Sequence, residues 1–221
     1  MCNVYGPAGP RVITERFRVA LLSEPYRPSI GPWGRGPFVR RAGNGGAEAV
    51  VGQWALIRDG AREARSAARI MTNNARSEEL QAKPTFRGPW ARRQRCLIPA
   101  ESYDEPNWES GTNVWWRLRR ADGDLWALAG LWNDWADPAS GEIVASYTML
   151  TINCDGHPLL SRMHKPEPKL PPDRQDKRSV VPIEPADWEQ WLHGSADEAK
   201  PLLRVPELSR YAAGPRDRLT A

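Results

Sequence analysis

Residues 113–131 read NVWWRLRRADGDLWALAGL, and this stretch decides the class of fold that we expect. Valine, leucine and tryptophan recur through 113–119 and 124–131, which predicts two β-strands. Asp122 and Gly123, which lie between them, form a dipeptide that favours a tight two-residue turn. The stretch therefore predicts two antiparallel strands joined as a hairpin.

Further strand-like runs surround this hairpin, and helix signals are few. Thr14 caps a predicted helix that Pro25 ends, Ser77 begins a short one, and Pro185 and Gly194 bound another. The additional strands are predicted at 49–57, 96–100, 145–153 and 178–183, and a capping box is predicted for Ser195 with Glu198. The sequence thus predicts an α+β fold, a single domain on a curved, barrel-like antiparallel β-sheet with a few peripheral helices.

Two segments show no usable periodicity. Residues 28–46 are rich in proline, glycine and arginine, which predicts a long surface loop. Residues 155–177 are polar and proline-rich and carry His157 and His164. Long irregular connections inside a compact domain are often functional, so we expect this one to serve a site. We also expect Asn74 and Arg76 on the turn before Ser77.

Length and composition limit the classes of protein that fit. The chain has 221 residues, enough for one domain, which we place at 1–210 with a frayed tail at 211–221. No run of eighteen apolar residues and no basic-then-apolar leader is present, so we expect a cytoplasmic monomer with no membrane contact. The three cysteines are odd in number and lack C-x-x-C spacing, which argues against disulfides and zinc.

The charged and aromatic composition permits two interpretations. Arginine outnumbers lysine 26 to 5, and the net charge is +4. Arginine is typical of phosphate-binding surfaces, but a GC-rich genome produces the same excess. The eleven tryptophans serve equally as core residues and as stacking platforms for bases.

Cys2 directly follows the initiator methionine. Removal of Met1 would leave an α-amino group (pKa ~8) and a thiol (pKa ~8.5) on one residue, so both groups are partly nucleophilic near neutral pH. The amine condenses with an aldehyde to an imine, and the sulfur then closes on the imine carbon to form a thiazolidine. The pair needs no cofactor or metal for this chemistry. The alternative is an arbitrary second residue on a frayed terminus.

Standard catalytic signatures are absent from the sequence, including a P-loop, H-E-x-x-H and G-x-S-x-G. Five short motifs remain, and in order and spacing over 1–193 they resemble the SOS-response-associated peptidase (SRAP) family, also called abasic-site processing proteins. They are Met1-Cys2, WALI at 54–57, Asn74-Ala75-Arg76 with Glu78, RCLIPA at 95–100 followed by Glu105, and SRMH ending at His164.

The resemblance implies covalent capture of abasic sites in single-stranded DNA. Cys2 would form a thiazolidine with the C1′ aldehyde of the open deoxyribose and shield the lesion in the DNA-damage response, after self-removal of Met1. The catalytic residues implied are Cys2, Asn74, Glu105 and His164. Glu105 would accept protons from the amine, His164 would pass a proton to the sugar oxygen, and the Asn74 amide would donate to an aldehyde or phosphate oxygen.

The resemblance also implies DNA-binding residues. Arg76 would hold a phosphate bidentately, with Arg58 and Arg162 as further cations. Trp54 would stack on a base that flanks the lesion. Asn74 as a helix cap and Arg76 as an ordinary surface ion pair are the structural alternatives.

Three departures from the family's pattern leave alternatives open. Asn3 and Val4 stand where the family has Gly-Arg after the cysteine. Asp104 stands directly before Glu105 and competes with it as the functional acid. The residues KPEPKLPPDRQDK, 165–177, lengthen the segment after His164. His157 competes with His164 as the functional histidine.

Two other functions fit the same residues. Cys2 as nucleophile with His164 as base would suit a peptidase or amide hydrolase. Arginine and tryptophan alone would suit noncovalent single-stranded DNA binding.

Overall fold

Ten strands form one hydrogen-bonded sheet in the computed structural model, which describes residues 2–64 and 71–216. The strands are β1 Val4–Pro7, β2 Arg35–Arg41, β3 Ala47–Trp54, β4 Asn74–Arg76, β5 Arg95–Asn107, β6 Val114–Arg120, β7 Trp126–Ala136, β8 Ile143–Asn153, β9 Arg178–Val180 and β10 Tyr211–Pro215. The helices are α1 Pro10–Phe17, α2 Pro84–Ala91, α3 Trp188–His193 and α4 Ala196–Ala199, with short 3₁₀ turns between elements.

Five strands close a barrel in the order β5, β2, β3, β8, β7 and back to β5. The predicted barrel-like α+β fold is confirmed, but the sheet is mixed, because β8 pairs in parallel with both β3 and β4. A β-carbon at Gly130 would lie 2.6 Å from the Thr148 carbonyl oxygen, so only glycine permits the close approach of β7 and β8 there.

The predicted hairpin at 113–131 is wrong. Gly123 does form a turn with φ +78°, but the pairing partner of both runs is β5. Leu118 of β6 pairs with Tyr103, and Trp126 of β7 pairs with Ala100. Since β1 occupies the opposite edge at both positions, β6 and β7 follow one another along a single edge of β5. The thirteen-residue β5 is long enough to pair with both.

The other element predictions divide into confirmed and corrected ones. The runs at 49–57, 96–100, 145–153 and 178–183 overlap with β3, the start of β5, β8 and β9, and the capping box of Ser195 with Glu198 is present. The predicted loop 28–46 contains β2, where Pro37 and arginines hide the alternation and Val39 pairs with neighbours on both sides. The first helix begins at Pro10, whose ring suits a first helical turn, and ends before Arg18.

The expected frayed tail is wrong for 211–215, because β10 pairs with β6 along its full length. Residues 217–221 lie outside the described residues. Leu208 to Arg210 form a 3₁₀ turn that leads directly into β10.

Alternate residues of β5 enter two cores. Leu97 packs with helix residues such as Trp90 and Trp191, whereas Cys96 and Ile98 belong to a second, more aromatic core. The second core contains Cys2, Tyr5, Phe38, Trp54, Tyr103, Trp126, Tyr147 and Met149. None of the helices in residues 2–64 and 71–216 has the length and apolar composition needed to cross a membrane.

Candidate functional site

Cys2 is fully buried against the second core, directly before β1. The antiparallel register Val4 with Asp104, continued by one residue, brings the start of the chain beside Glu105. The Asn74 amide donates to the Cys2 carbonyl oxygen at 2.7 Å, and the Cys2 thiol donates to the Val4 carbonyl oxygen at 3.4 Å. Cys2 is therefore held at a defined position. Met1 lies outside the described residues.

Burial governs the protonation of the cysteine. It raises the pKa of the Cys2 thiol well above its usual value, and the nearby Glu105 carboxylate adds to the effect. The resting side chain is thus a neutral thiol, which needs a proton acceptor before it can react as a thiolate.

Glu105 and His164 form a buried acid–imidazole pair. Glu105 is 2% exposed, and its Oε2 lies 3.3 Å from the Nε2 of His164. Among the residues that the structure describes, neither carboxylate oxygen of Glu105 accepts a hydrogen bond of good geometry. Burial, together with the Asp104 charge, raises the pKa of Glu105 to about 7. Burial lowers the pKa of His164 to about 3, so its imidazole is neutral at physiological pH.

The backbone of the irregular segment 155–177 positions His164. Its amide nitrogen donates to the Pro106 carbonyl oxygen at 2.6 Å, and its carbonyl oxygen accepts from the Lys177 ammonium at 2.6 Å. Its Nε2 also lies 3.2 Å from the Arg178 carbonyl oxygen. The residue has a φ of +62°, which is uncommon for a residue with a side chain and recurs at functional positions.

Asp104, the rival of Glu105, has a structural role. Arg117 on β6 donates to its two oxygens at 2.8 and 3.0 Å, and the guanidinium of Arg216 lies 3.4 Å away. Because neighbouring residues of a strand face opposite sides of the sheet, only Glu105 faces the Cys2 cluster.

Asn74 and Arg76 lie on β4, not on the predicted turn, because parallel pairing with β8 extends the chain there. The Arg76 guanidinium lies 2.6 Å from the Asp176 carboxylate, which also accepts from Arg178 at 3.3 Å. Glu78 accepts two further hydrogen bonds from Arg178, at 2.6 and 2.8 Å. Arg76 is therefore engaged in an ion pair, although its side chain is 41% exposed.

The three remaining predicted DNA-binding residues have different environments. Trp54 is fully buried and donates from its indole to the Asn73 carbonyl oxygen at 2.8 Å, so the predicted stacking on a base is wrong and the ring supports β4 instead. Arg58 is exposed just beyond β3, and no described contact connects its side chain with Cys2. The Arg162 guanidinium lies 5.2 Å from the Trp116 ring and donates to Glu109 at 2.9 Å.

Sequence reasoning did not identify several side chains that surround the cluster. Trp116 pairs across the sheet with Glu105, Lys177 and Arg178 contact His164, and Trp108 lines a cavity beside it. The strand periodicity of 113–119 was a usable signal for Trp116, since it alternates with Trp115. The contacts of Lys177 and Arg178 are tertiary and have no local signature.

His157, the competitor of His164, has no ring nitrogen left for a metal. Its Nδ1 accepts from the amides of Leu159 and Leu160, and its Nε2 contacts the Pro206 carbonyl oxygen at 3.0 Å. It stabilises the 3₁₀ turn Leu160–Arg162, two residues before His164.

The chain is similar to named proteins along part of its length. The Abasic site processing protein YoqW of Bacillus subtilis (strain 168) is 30% identical over 131 residues, which cover 59% of this chain and 56% of YoqW. The Abasic site processing protein HMCES of Gallus gallus is 24% identical over 156 residues, which cover 58% of this chain and 46% of HMCES. The chain thus spans about half the length of these relatives.

Two solved structures resemble the fold over nearly the whole chain. A protein of Bordetella bronchiseptica superposes with a TM-score of 0.85 at 34% identity and covers 97% of this chain and 99% of its own. A protein of Bacteroides thetaiotaomicron gives a TM-score of 0.81 at 21% identity, with 100% and 95% coverage, and supports the fold alone. The family described as SOS response associated peptidase (SRAP) matches residues 7–215, from the end of β1 to the end of β10. Because this match covers nearly the whole chain, including every strand of the barrel, the chain belongs to the SOS response associated peptidase (SRAP) family.

Proposed function

We propose that this chain captures abasic sites in single-stranded DNA through a covalent thiazolidine at Cys2, after removal of Met1. The observation that carries the proposal is the position of Cys2. This residue is buried, hydrogen-bonded to Asn74, and close to the buried carboxyl of Glu105, which in turn contacts the neutral imidazole of His164. A frayed second residue would have none of these partners.

The chemistry balances without an oxidant or a cofactor. The α-amine of Cys2 adds to the C1′ aldehyde of the ring-opened deoxyribose, and loss of one water gives an imine. The Cys2 sulfur then adds to the imine carbon, and the thiol proton passes to the nitrogen. The products are a thiazolidine and one water molecule.

Glu105 and His164 fit the proton transfers that these steps need. With a pKa of about 7, Glu105 is present in both protonation states near neutral pH, so it accepts a proton from the amine or thiol and returns it to the departing hydroxyl. The neutral imidazole of His164 lies within 3.3 Å of that carboxyl. Its proposed role is to pass a proton to the sugar oxygen as the ring opens. The Asn74 side-chain amide orients Cys2 by donating a hydrogen bond to the Cys2 carbonyl oxygen.

The cations around the cluster fit a phosphate backbone. Arg76 on β4 and Arg162 beside His164 are both partly exposed, each paired with a carboxylate that a phosphate would replace. A hydrolase with Cys2 and His164 is supported less well, because burial holds the thiol protonated and the imidazole neutral, whereas such enzymes use a thiolate.

The test uses purified protein and an oligonucleotide with one abasic site. Mass spectrometry first establishes whether Met1 is absent, and a denaturing gel then reports a shifted band. We expect one DNA per protein for the wild type and no stable band for Cys2→Ala, with Cys154→Ala as a matched control that retains it. A wild type lacking Met1 that forms no band, or a Cys2→Ala variant that forms one, would overturn the proposal.

Removal of Met1 by the chain itself has a separate measurement. We expect a chain made in a cell-free system with methionine aminopeptidase inhibited to lose Met1, and Glu105→Gln to slow that loss. Retention of Met1 by the inhibited wild type would assign its removal to the aminopeptidase.

A further inference from the structure

A cavity of about 450 Å³ opens beside His164. One wall is Trp108, directly after β5, with Arg162 at the rim. The opposite wall is the inserted segment 165–177, which contributes Leu170 and Lys177. The volume lies in the range that small-molecule sites occupy.

The wall is formed before any ligand binds. The Gln175 amide nitrogen donates to the carbonyl oxygens of Leu170 and Pro171 at 3.0 and 2.8 Å, and its oxygen accepts from the Glu167 amide at 2.8 Å. The Asp155 carboxylate accepts from the amides of Asp176 and Lys177 at 3.0 and 2.7 Å. These bonds tie both ends of the segment, so a ligand would not have to order it.

The lining combines apolar surfaces with charges of both signs, Arg162 and Lys177 together with Glu109 and Glu167. Trp108 is half-buried, and the ammonium of Lys165 lies 5.5 Å from its ring centroid. Leu170 is 40% exposed, and three prolines complete the apolar part. A nucleobase suits such a lining, since its flat ring stacks on aromatic side chains and its π-face interacts with cations.

His164 belongs both to the lining of the cavity and to the proposed reaction site. His164 lines the cavity and also contacts Glu105, and the Trp108 amide donates to the Arg162 carbonyl oxygen at 3.1 Å. A ligand in the cavity is thus one side chain away from the cluster around Cys2. An abasic nucleotide carries no base of its own, so its register on the protein must come from its neighbours.

We propose that this cavity binds the nucleobase of one nucleotide adjacent to the abasic site, stacked on Trp108. The inference rests on the proposed function and makes segment 165–177 a part of the DNA-binding site. It adds a base-stacking position to the phosphate contacts of Arg76 and Arg162.

The test removes the ring and the base separately. Oligonucleotides carry one abasic site, and either the 5′ or the 3′ neighbour is replaced by tetrahydrofuran, which has neither a base nor an aldehyde. For the wild type, we expect loss of one of the two bases to raise the DNA concentration at half-maximal crosslinking rate about tenfold, the range of one stacking interaction. With the full oligonucleotide, Trp108→Ala should raise this concentration about tenfold. With the oligonucleotide that lacks that base, Trp108→Ala and the wild type should need the same concentration.

Controls separate stacking from folding. Trp108→Phe retains a ring and should stay near the wild type, and Trp115→Ala, on β6 and 38% exposed, should not change the value. Leu170→Ala on the opposite wall gives an independent reading and should raise the value severalfold. Two outcomes would overturn the inference. One is that Trp108→Ala and the wild type need the same DNA concentration for half-maximal rate. The other is that Trp108→Ala combined with loss of the base raises this concentration about a hundredfold.

The proposed function fails in a different way. In that case the wild type forms no adduct with any of the oligonucleotides, and the same comparison is then made from noncovalent dissociation constants. A ring effect that depends on the base supports the cavity assignment in either readout, and an effect that is independent of the base contradicts it.

Discussion

Two adjacent carboxyl groups on β5 have opposite environments, and this difference assigns their roles. Asp104 is held by the guanidinium of Arg117 on one face of the sheet. Glu105 on the other face has no described cation within ion-pair distance, only the neutral His164. Burial is the largest cause that raises the pKa of Glu105 to about 7, and the Asp104 charge adds to it.

The first prediction concerns the pH dependence of crosslinking. The carboxylate form of Glu105 accepts the proton, so the rate should fall as pH falls through about 7. Glu105→Gln should be about a hundredfold slower at pH 8 and should lack this inflection. Single-turnover crosslinking rates between pH 5 and 9 measure this pH dependence. Glu101→Gln, at an exposed position on the same strand, is the control. An inflection near pH 7 that persists in Glu105→Gln would assign it to another group.

The same residue predicts a pH dependence of stability. Between the ordinary pKa of 4.5 and the raised value of about 7, folded Glu105 retains a proton that the unfolded chain has released. The folded state therefore binds more protons, and the free energy of unfolding falls as pH rises, by about 3 kcal/mol over this window. Relative to wild type, Glu105→Gln should gain this amount between pH 4.5 and 7.5, measured by urea unfolding.

The contribution of His164 has the opposite sign. Because the pKa of His164 is lowered, the free energy of unfolding increases as pH rises from about 3 to 6.5. This contribution is present in the wild type and in Glu105→Gln alike. A difference between the two proteins that stays constant with pH would contradict the assignment to Glu105.

At the scale of elements, segment 165–177 connects the reaction cluster with β4. Asp176 near its end adopts a φ of +53° and places its carboxylate against Arg76 and Arg178. A DNA phosphate at Arg76 must displace this carboxylate. The segment thus supplies a wall for the cavity and an internal competitor for the anion site.

Asp176→Asn should therefore strengthen noncovalent binding of single-stranded DNA. Asparagine tolerates the same backbone conformation, and removal of the charge frees Arg76, so we expect the dissociation constant to fall about threefold to tenfold at low salt and less at high salt. Fluorescence anisotropy with Cys2→Ala as background measures it. Asp173→Asn makes the same charge change at an exposed position, and an equal effect of both variants would mean that only net charge matters.

At the scale of the whole molecule, closure of the barrel brings distant parts of the chain together. Cys2 lies before β1 and Asn74 at the start of β4, whereas Glu105 lies near the end of β5 and His164 in the segment after β8. Because β5 pairs with four other strands, small shifts in any of them reach Glu105. β10 belongs to this framework, since it covers the free edge of β6.

A chain that ends at Arg210 should accordingly be less stable. It loses the β10 pairing and the buried Tyr211 ring, which lies 5.2 Å from Trp126. We expect the melting temperature to fall by about 5 °C or more. A chain that ends at Arg216 retains β10 and should melt like the full-length protein. Equal melting temperatures for the two shortened chains would show that β10 contributes little.

Local patterns were sufficient for most elements. Alternation predicted β3, β8 and the start of β5, and capping residues predicted α3 and α4, because these signals depend on neighbours in sequence. The order of the motifs singled out Cys2, Asn74, Glu105 and His164. The hairpin at 113–131 failed because a turn signal does not reveal that β5 is long enough to pair with both runs.

By itself, the sequence determined that strands dominate, that one reactive aminothiol can arise at Cys2, and that a set of polar residues accompanies it. Only the tertiary structure decided that Asp104 pairs with Arg117 while buried Glu105 contacts the neutral His164, that Trp54 is buried, and that Arg76 is held by Asp176. The physical reason is that burial and charge pairing depend on residues tens of positions apart. Those residues meet only when the barrel closes.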